Sequence, residues 1–414
     1  MSEESQRVDI VIAGGSFVGL SLALALWQAS QGGLRIAVID RMSLDDARAA
    51  ANDGRATALT AASQNLYRAL GVWQDVESQA QPFIGIDITD SELKTAVRQT
   101  LLHFGAEDEA GEAAACMVEN HVLKSALIER VSSAEGIRFL APETVQSFET
   151  RSHGVSVNLA SGAAITCSLL VAADGKKSSL RRMAGIKTIG WDYEQAGIVA
   201  TLGFEKPHNG RAIQHFMPAG PFAILPLTGN RVSLVWTESR ERAREIVALE
   251  DDAFLAEAKK RIGGRFGALT LEGPRGSFPL EMHLARHFVA DRFALVGDAA
   301  HGVHPLAGQG LNIGLRDVAA LTEVIVEGAR LGLDPGTMSE LERYERWRRF
   351  DSAFSAFAMD GLNRLFANDN VPLRALRSVG LGLVDRAPAL KKFFVREAAG
   401  LTGSVPRLLK GDAI

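Results

Sequence analysis

The sequence predicts an α/β fold in which a Rossmann-like dinucleotide-binding domain carries an inserted antiparallel sheet and ends in a helical region. Three observations predict it. A strand, a glycine-rich turn and a helix open the chain over residues 8–30, the order of a phosphate-binding βαβ unit. Two later apolar strands end at Asp174 and Asp298. Between them, residues 196–238 alternate as sequential strands with short turns, which is typical of an antiparallel sheet.

The first unit carries a nearly complete dinucleotide-binding pattern. Its glycine-rich turn spans residues 14–19, and a second strand, residues 34–39, ends at Asp40. In this context an acid about twenty positions after the last glycine accepts from an adenosine ribose hydroxyl. Ser16 stands where a second glycine normally lets the backbone approach the pyrophosphate. Because serine is small and can donate, binding is still expected.

The segment 292–317 is the most distinctive of the three turns. Its strand stops at Asp298, a loop with His301 and His304 follows, and residues 308–310 open a long amphipathic helix. A glycine-rich helix start offers free N–H groups and the positive end of the helix dipole. A tight turn that needs glycine would have the same composition. Together with the first turn, the segment favours a large, polyhydroxylated, partly anionic cofactor.

The turn at Asp174 fits the same interpretation. An apolar strand enters Asp174-Gly175, a helix follows with a serine at its start, and Arg181 is placed to hold Asp174 across the turn. A plain Asp-Gly turn with a serine N-cap is the alternative.

Composition bounds the function classes. With 414 residues, a net charge of −4 and a hydrophobic content of 47%, the chain can hold two domains and lacks the basic surplus of a nucleic-acid-binding protein. Cys116 and Cys167 are the two cysteines, without metal-ligand spacing, so we expect a reducing, cytoplasmic compartment and neither a disulfide nor a metal. The uncharged run over residues 10–34 is interpreted as a strand, a turn and a buried helix instead of a membrane span.

The predicted division is discontinuous. It assigns residues 1–70, 98–182 and 278–360 to the cofactor-binding domain, residues 71–97 and 183–277 to a substrate-binding domain, and residues 361–414 to the C-terminal helical region. From residue 371 the tail interleaves basic and apolar residues. This pattern is typical of a helical layer packed on the body or of an interfacial helix near anionic lipid.

The three turns in this order resemble those of the FAD-dependent aromatic hydroxylases, the class A, p-hydroxybenzoate-hydroxylase-like flavoprotein monooxygenases. Residues 117–127, 190–195 and 304–312 resemble more narrowly the ubiquinone-biosynthesis hydroxylases of the UbiH, UbiF and VisC type. The resemblance spans almost the whole chain. It implies FAD as cofactor, NADH or NADPH as electron donor, and hydroxylation of the aromatic ring of a polyprenylated phenol after O2 adds to reduced flavin as a hydroperoxide.

The resemblance also implies which residues bind FAD. Asp40 would face the adenosine ribose and Asp298 the ribityl chain or pyrophosphate. Lys124 stands where related hydroxylases often carry an arginine, and lysine cannot give the same forked contact. The expected cofactor-binding residues are Gly14, Gly15, Ser16, Gly19, Asp40, Arg41, Arg55, Lys124, Asp174, Gly175, Gly297, Asp298, Pro305, Gly308, Gln309, Gly310, Leu311 and Asn312.

Catalytic and substrate-binding residues are harder to assign. His301, His304 and Pro305 are the catalytic candidates because histidine titrates near neutral pH, although hydrogen bonds that cap the loop are the favoured explanation for both histidines. About half of the candidates for a ring-binding wall should belong to the core, since strand alternation sends side chains to both faces. These candidates are His215, Phe216, Phe222, Pro226 and Trp236.

Two other functions remain open on the sequence. A hydroxylase of a small soluble aromatic acid would need a fixed cation in its pocket. A catalytically silent flavin-binding subunit of a biosynthetic complex would explain Ser16 and Lys124. The basic, apolar tail favours a lipid-like substrate and a cytoplasmic protein in peripheral contact with the inner membrane. The resemblance adds a ubiquinone-biosynthesis complex as an expected partner.

Overall fold

The computed structural model describes residues 7–90, 100–105, 113–302, 309–366, 399–400 and 403–414. Its helices are α1 Phe17–Ala29, α2 Leu44–Ala50, α3 Ala61–Ala69, α4 Trp73–Val76, α5 Asn120–Ser132, α6 Ser179–Met183, α7 Arg240–Val247, α8 Asp251–Ile262, α9 Gln309–Arg330, α10 Met338–Phe366 and α11 Arg407–Lys410. Its strands are β1 Ile10–Ala13, β2 Ile36–Ile39, β3 Ala56–Thr60, β4 Gln81–Pro82, β5 Gly85–Asp90, β6 Thr100–Gly105, β7 Ala115–Glu119, β8 Ile137–Leu140, β9 Val145–Arg151, β10 Gly154–Leu159, β11 Ala164–Cys167, β12 Leu169–Ala172, β13 Thr188–Phe204, β14 Arg211–Met217, β15 Gly220–Leu227, β16 Arg231–Ser239, β17 Leu269–Leu271, β18 Gly276–Ala285, β19 Val289–Ala290, β20 Phe293–Leu295 and β21 His301–Gly302.

A six-stranded sheet in the order β19-β20-β12-β1-β2-β8 forms the nucleotide-binding body. All neighbours from β20 to β8 pair in parallel, and β19 adds an antiparallel edge. Strands β1, β2 and β12 are buried along their whole length, as expected where helices cover both faces of a parallel sheet. Because β20, β12 and β1 are neighbours, the turns that follow them leave the same edge of the sheet.

Helix α1 explains the uncharged run near the start of the chain. Eight consecutive residues of α1, from Gly19 to Leu26, are buried, so the helix needs no polar face. The run is therefore a strand and a buried helix, as predicted. No helix among the residues that the structure describes is long and apolar enough to cross a bilayer.

The second body is a large mixed sheet in the order β21-β18-β13-β16-β15-β14-β5-β6, with β17 beside β13. One face packs beneath α7 and α8, where Ile246 and Phe254 are fully buried with Ile198, Leu234 and other sheet residues. The opposite face is directed at the nucleotide-binding body, because Ala212 and Leu227 pack there with Ala58 and Met117. The inserted antiparallel sheet of the prediction is present, with β5 and β14 as a parallel pair inside it.

The path of the chain decides which sheet each strand joins. Strand β8, residues 137–140, extends the parallel sheet beside β2, because the preceding α5 supplies the crossover that a parallel strand needs. The chain enters the large sheet twice, with β5 and β6 over residues 85–105 and with β13 to β18 over residues 188–285. The sequence assigned residues 71–97 and 183–277 to this part of the fold. Most of the basic tail, residues 367–398, lies outside the described residues.

Candidate cofactor and substrate site

The three turns that follow β1, β12 and β20 converge. Gly14 has a φ of +114°, and a Cβ there would lie 2.2 Å from the carbonyl oxygen of Ala173. Gly297 has a φ of +59°, and its Cβ would lie 3.1 Å from Val18 in the first turn of α1. The first turn thus touches both others, and only glycine permits either approach. Gly314 of α9 also approaches this turn closely, since a Cβ there would lie 2.8 Å from Val18.

The N-terminus of α1 is suited to an anion. Its N-cap, Ser16, makes no side-chain capping bond, and no acidic residue lies in the first helical turn. The free N–H groups and the helix dipole therefore remain available to a pyrophosphate. Ser16 has a φ of −86° with extended ψ, a conformation open to any residue, so serine instead of glycine imposes no strain here.

Asp40 and Lys124 meet at the first turn. The Asp40 carboxylate accepts from the backbone N–H groups of Gly15 at 2.6 Å and Met42 at 2.9 Å. The Lys124 ammonium donates to the carbonyl oxygen of Gly15. Burial lowers the pKa of Lys124 to about 8, and the Asp40 charge opposes part of that shift. Lys124 therefore contacts the phosphate-binding turn. The resemblance had aligned it with an arginine of related hydroxylases.

The second turn is held by the start of α6. Asp174 Oδ2 accepts from the N–H groups of Ser179 at 2.9 Å and Leu180 at 3.3 Å. Asp174 Oδ1 is buried and has no hydrogen-bond partner among the described residues. A buried acceptor without a partner is costly, so this oxygen is a fitting contact for a ligand hydroxyl.

Arg181 does not hold Asp174, which corrects the sequence prediction. The N–H groups of α6 already occupy Asp174 Oδ2. The Arg181 guanidinium instead donates to the carbonyl oxygens of Ala299 at 2.6 Å and Lys176 at 3.1 Å. It therefore joins the second turn to the third.

The third turn rests on a buried charge cluster that sequence reasoning missed. Asp317 of α9 is fully buried and accepts from Gly297 N–H at 2.9 Å, His301 Nε2 at 2.6 Å and Arg348 Nε at 2.8 Å. Burial alone would raise the pKa of Asp317, but His301 and Arg348 outweigh it and hold this pKa below its usual value. Asp298 itself is exposed, while its carbonyl oxygen lies 2.8 Å from His283 Nε2.

Helix α9 begins beside these turns. Asn312 Oδ1 accepts from Thr60 N–H at 3.0 Å and Ser63 Oγ at 2.7 Å, and Asn312 Nδ2 donates to the Ala58 carbonyl oxygen at 2.8 Å. These contacts tie α9 to β3 and α3. Gln309, Gly310 and Leu311 are half-exposed, and a Cβ on Gly310 would meet nothing within 4 Å. The candidates His304, Pro305 and Gly308 lie outside the described part of the chain.

The two predicted arginines take different positions. Arg41 is exposed beyond β2. Arg55 forms an ion pair with Asp53 at 2.6 Å and lies 4.9 Å from the ring centre of Phe278 in β18. The Thr201 hydroxyl of β13 donates to the Gly54 carbonyl oxygen at 3.3 Å. Arg55 is therefore at the border between the nucleotide-binding body and the large sheet.

Two residues of the predicted ring-binding wall belong to the core, which is a correction. Phe222 and Trp236 pair across β15 and β16 on the face beneath α7 and α8, and both are at most 1% exposed. Strand alternation places His215 and Pro226 on that face too, and His215 Nδ1 lies 2.5 Å from Thr89 Oγ1. Phe216 faces the nucleotide-binding body.

The face toward the nucleotide-binding body carries a row of partly exposed side chains that runs across three strands, which we call the open row. Val199, Val235 and Gln214 occupy equivalent positions on β13, β16 and β14, and all three are half-exposed. Residues of the opposite face are almost fully buried. Solvent therefore reaches part of this row, and it also reaches Phe278 of β18, which is 42% exposed. The described residues contain no cluster of histidine, cysteine, aspartate and glutamate that could hold a metal ion.

A parallel nucleotide-binding sheet whose turns converge beside a second, largely antiparallel sheet is the arrangement expected of the FAD-dependent hydroxylases. The model of the family described as FAD binding domain matches residues 7–349. A ubiquinone hydroxylase UbiL from Rhodospirillum rubrum is 41% identical over 408 residues, which are 97% of this chain and 92% of that protein. The 3-demethoxyubiquinol 3-hydroxylase of Escherichia coli is 34% identical, over 96% of this chain and all of that protein.

Among solved structures, the p-nitrophenol 4-monooxygenase PnpA from Pseudomonas putida DLL-E4 matches with a TM-score of 0.81 and 16% identity, over 96% of this chain and 99% of that one. This likeness confirms the fold. The chain belongs to the FAD-binding-domain family, in the branch that contains the ubiquinone hydroxylases.

Proposed function

We propose that the protein is an FAD-dependent monooxygenase that hydroxylates the aromatic ring of a polyprenylated phenol in ubiquinone biosynthesis, with NADH or NADPH as electron donor. The observation that carries the proposal is the convergence of the Gly14, Asp174 and Gly297 turns next to the open row of the large sheet. The names of the two ubiquinone hydroxylases that align over nearly their whole length support the substrate class.

The residues present fit FAD. The free N–H groups of α1 would bind the pyrophosphate, Asp40 the adenosine ribose, and Asp298 the ribityl hydroxyls, while Asp174 Oδ1 would gain the partner that it lacks among the described residues. Lys124 would add a positive charge at the phosphates. When bound, FAD supplies the redox chemistry that activates O2; the protein positions the ring, excludes water and fixes the charges around it.

The charges near the open row favour a neutral ring over a small aromatic acid. Arg231 is held by Glu119 at 2.8 Å, and Arg55 is held by Asp53 at 2.6 Å. A small acid needs a cation free to receive its carboxylate, and both of these are already paired. Val199 and Val235 also give the row an apolar floor. We assign His301 a positioning role, because its Nε2 is bound to buried Asp317.

Oxygen transfer tests the function directly. Holoprotein supplied with NADH or NADPH, ¹⁸O2 and a dispersed 2-polyprenylphenol should give a ring-hydroxylated product that carries one ¹⁸O atom in its mass spectrum. A deletion strain should accumulate the unhydroxylated prenylphenol in its lipid extract. Reduced nucleotide consumed only to H2O2, without labelled product, would support the silent-subunit alternative. A labelled product from a soluble hydroxybenzoate, and none from the prenylphenol, would support the small-acid alternative.

Lys124 gives FAD affinity a distinctive pH dependence. Its pKa is lowered to about 8, so the positive charge at the phosphates is lost as the pH rises from 7 to 9.5. The FAD dissociation constant should rise by about 10-fold over that interval, the factor that ~1.4 kcal/mol represents. Isothermal titration of apoprotein at several pH values measures it.

The matched variants separate charge from packing. Lys124→Arg keeps its charge throughout this range and should show a flat profile, whereas Lys124→Met should bind FAD weakly at both ends. A wild-type profile as flat as that of Lys124→Arg contradicts the assignment of Lys124 to the phosphates.

The location and partners follow from the substrate class. We propose a cytoplasmic protein that reaches its prenylated substrate through peripheral contact with the inner membrane, in part through the tail that begins at residue 371, and that works beside other enzymes of ubiquinone biosynthesis. Co-purification from a strain with a tagged chromosomal copy tests that association.

A further inference from the structure

Helix α10 presents a row of exposed aromatic side chains. Phe350 is 80% exposed, Phe354 57% and Phe357 50%. Steps of four and three residues place all three on one side of the helix, which we call the aromatic stripe. The other side of α10 packs inward, with Tyr344 and Arg348 buried. Large apolar groups in water are unfavourable and mark an interaction surface when they are contiguous.

Positive charge adjoins the aromatic stripe. Arg346 lies one helical turn before Phe350, its side chain is 71% exposed, and its ion pair with Glu342 is 3.7 Å long between exposed groups. Such pairs contribute little, so the charge of Arg346 is hardly compensated. Arg349 is exposed and forms no ion pair with another described residue. Arginine beside exposed aromatic rings is the pattern of a helix that lies at the surface of an anionic membrane.

A recess lies beside the aromatic stripe. It has a volume of about 430 Å³ and lies between α10 and residues 403–406. Arg346, Phe350 and Phe354 form one wall. Arg316 also lines the recess but is paired with Asp351 at 2.7 Å, so Arg346 is the arginine there that is available to an anion. A concave space bordered by arginine next to exposed rings can admit the phosphate of a lipid headgroup while the rings enter the layer beneath it.

We propose that the aromatic stripe, with Arg346 and Arg349, is the surface by which the protein docks on an anionic lipid bilayer, with α10 lying in the interface. The inference rests on the proposed function in one respect: a polyprenylated phenol resides in a bilayer. The area favours lipid over a protein partner. The three rings together expose roughly 370 Å² if each offers about 200 Å², well below the ~800 Å² per partner of a stable protein interface.

The docking surface is joined to the substrate side of the fold. Asp360, near the end of α10, accepts from Trp191 Nε1 at 3.1 Å and from the Tyr193 hydroxyl at 2.8 Å, both in β13. The rings of Trp191 and Phe357 are 6.4 Å apart. Docking through α10 therefore brings β13, which also carries the open row at Val199, toward the lipid from which the substrate comes.

Vesicle flotation of the full-length holoprotein tests this surface. Wild type should float with phosphatidylcholine vesicles that contain about 30 mol% phosphatidylglycerol, and much less with phosphatidylcholine alone. The Phe350→Ser/Phe354→Ser double variant should lose at least about 10-fold in vesicle affinity. Arg346→Glu/Arg349→Glu should lose the preference for phosphatidylglycerol and its salt dependence. Leu331→Ser, at an apolar residue that is 78% exposed but lies beyond α9, is the matched control and should float as wild type does.

Other outcomes overturn the proposal. The proposal fails if wild type does not float with the vesicles. It also fails if the phenylalanine variants float as well as Leu331→Ser. A change from dimer to monomer in the phenylalanine variants, seen by sedimentation, would show instead that a second copy covers the aromatic stripe. Hydroxylation of a detergent-dispersed prenylphenol should be unchanged in all variants; its absence from wild type refutes the proposed function and leaves the flotation result to decide the docking surface.

Discussion

Replacing Asp298 with alanine is expected to release FAD. The side chain is exposed at the third turn and makes no hydrogen bond to another described residue, so its carboxylate is free for the ribityl hydroxyls. Hydrogen bonds to a charged group contribute about 1.5–3 kcal/mol each, so losing two should raise the FAD dissociation constant by about 100-fold or more. Flavin absorbance after desalting and titration of apoprotein measure the change.

The fold should survive this substitution. Asp291→Ala, at another exposed aspartate just before β20, is the matched control and should keep its flavin. Both variants should unfold near the wild-type denaturant midpoint as apoproteins. A purified Asp298→Ala protein as yellow as its parent would show that the ribityl contact lies elsewhere.

Asp317→Asn is expected to cause the largest loss of stability. Its carboxylate is fully buried between Arg348 and His301 and also accepts from Gly297 N–H. Arg348 also pairs with Asp351, which is partly exposed and remains as its one carboxylate partner among the described residues. Removing one partner of a buried ion pair typically costs about 3–5 kcal/mol, and because Asp351 remains we expect the lower end, about 3 kcal/mol. The free energy of unfolding, from urea titration monitored by circular dichroism, should fall by that amount, and FAD retention should fall with it because Gly297 loses its anchor.

The same pair defines a pH dependence with a definite sign. The folded pKa of Asp317 is below its usual value, so its contribution to stability is complete above the unfolded pKa of about 3.9 and is lost as the pH falls through the lower folded value. Wild type should lose stability below pH ~4 more steeply than Asp317→Asn.

A double variant gives the control for Asp317. Asp317→Leu/Arg348→Met removes both charges and should be less destabilised than the sum of the single changes. If the effects simply add, Asp317 and Arg348 do not stabilise the protein as a pair.

The turns of the site could be predicted because local chemistry dictates them. A glycine with positive φ at Gly14 and an acid at the end of β2 leave a signal within a few residues. The buried pair of Asp317 and Arg348 leaves no such local signal, since 31 residues separate the two. Charged residues of these types are also common on the exposed surface of a helix. Lys124 was named as a cofactor-binding candidate by the resemblance alone, and its contact with Gly15 depends on how α5 packs.

The substrate wall could be predicted only in part, for a different reason. In β14, β15 and β16 both faces are apolar enough to be buried, so alternation gives two sets of residues but not the face that each occupies. Phe222 and Trp236 lie on the helix-covered side because α7 and α8 pack there, and α7 was not among the expected elements. Trp73 and Val76, which the sequence assigned to the substrate-binding domain, pack with the first core.

Arg181 has a consequence for attempts to redesign the protein. Its guanidinium donates hydrogen bonds to the carbonyl oxygens of Lys176 and Ala299. The loops that follow two different strands therefore depend on the same side chain. A change of one loop that is meant to accept another nucleotide would also weaken the hydrogen bond of Arg181 to the other loop. Specificity and retention are mechanically coupled here, and variants would have to be selected for both together.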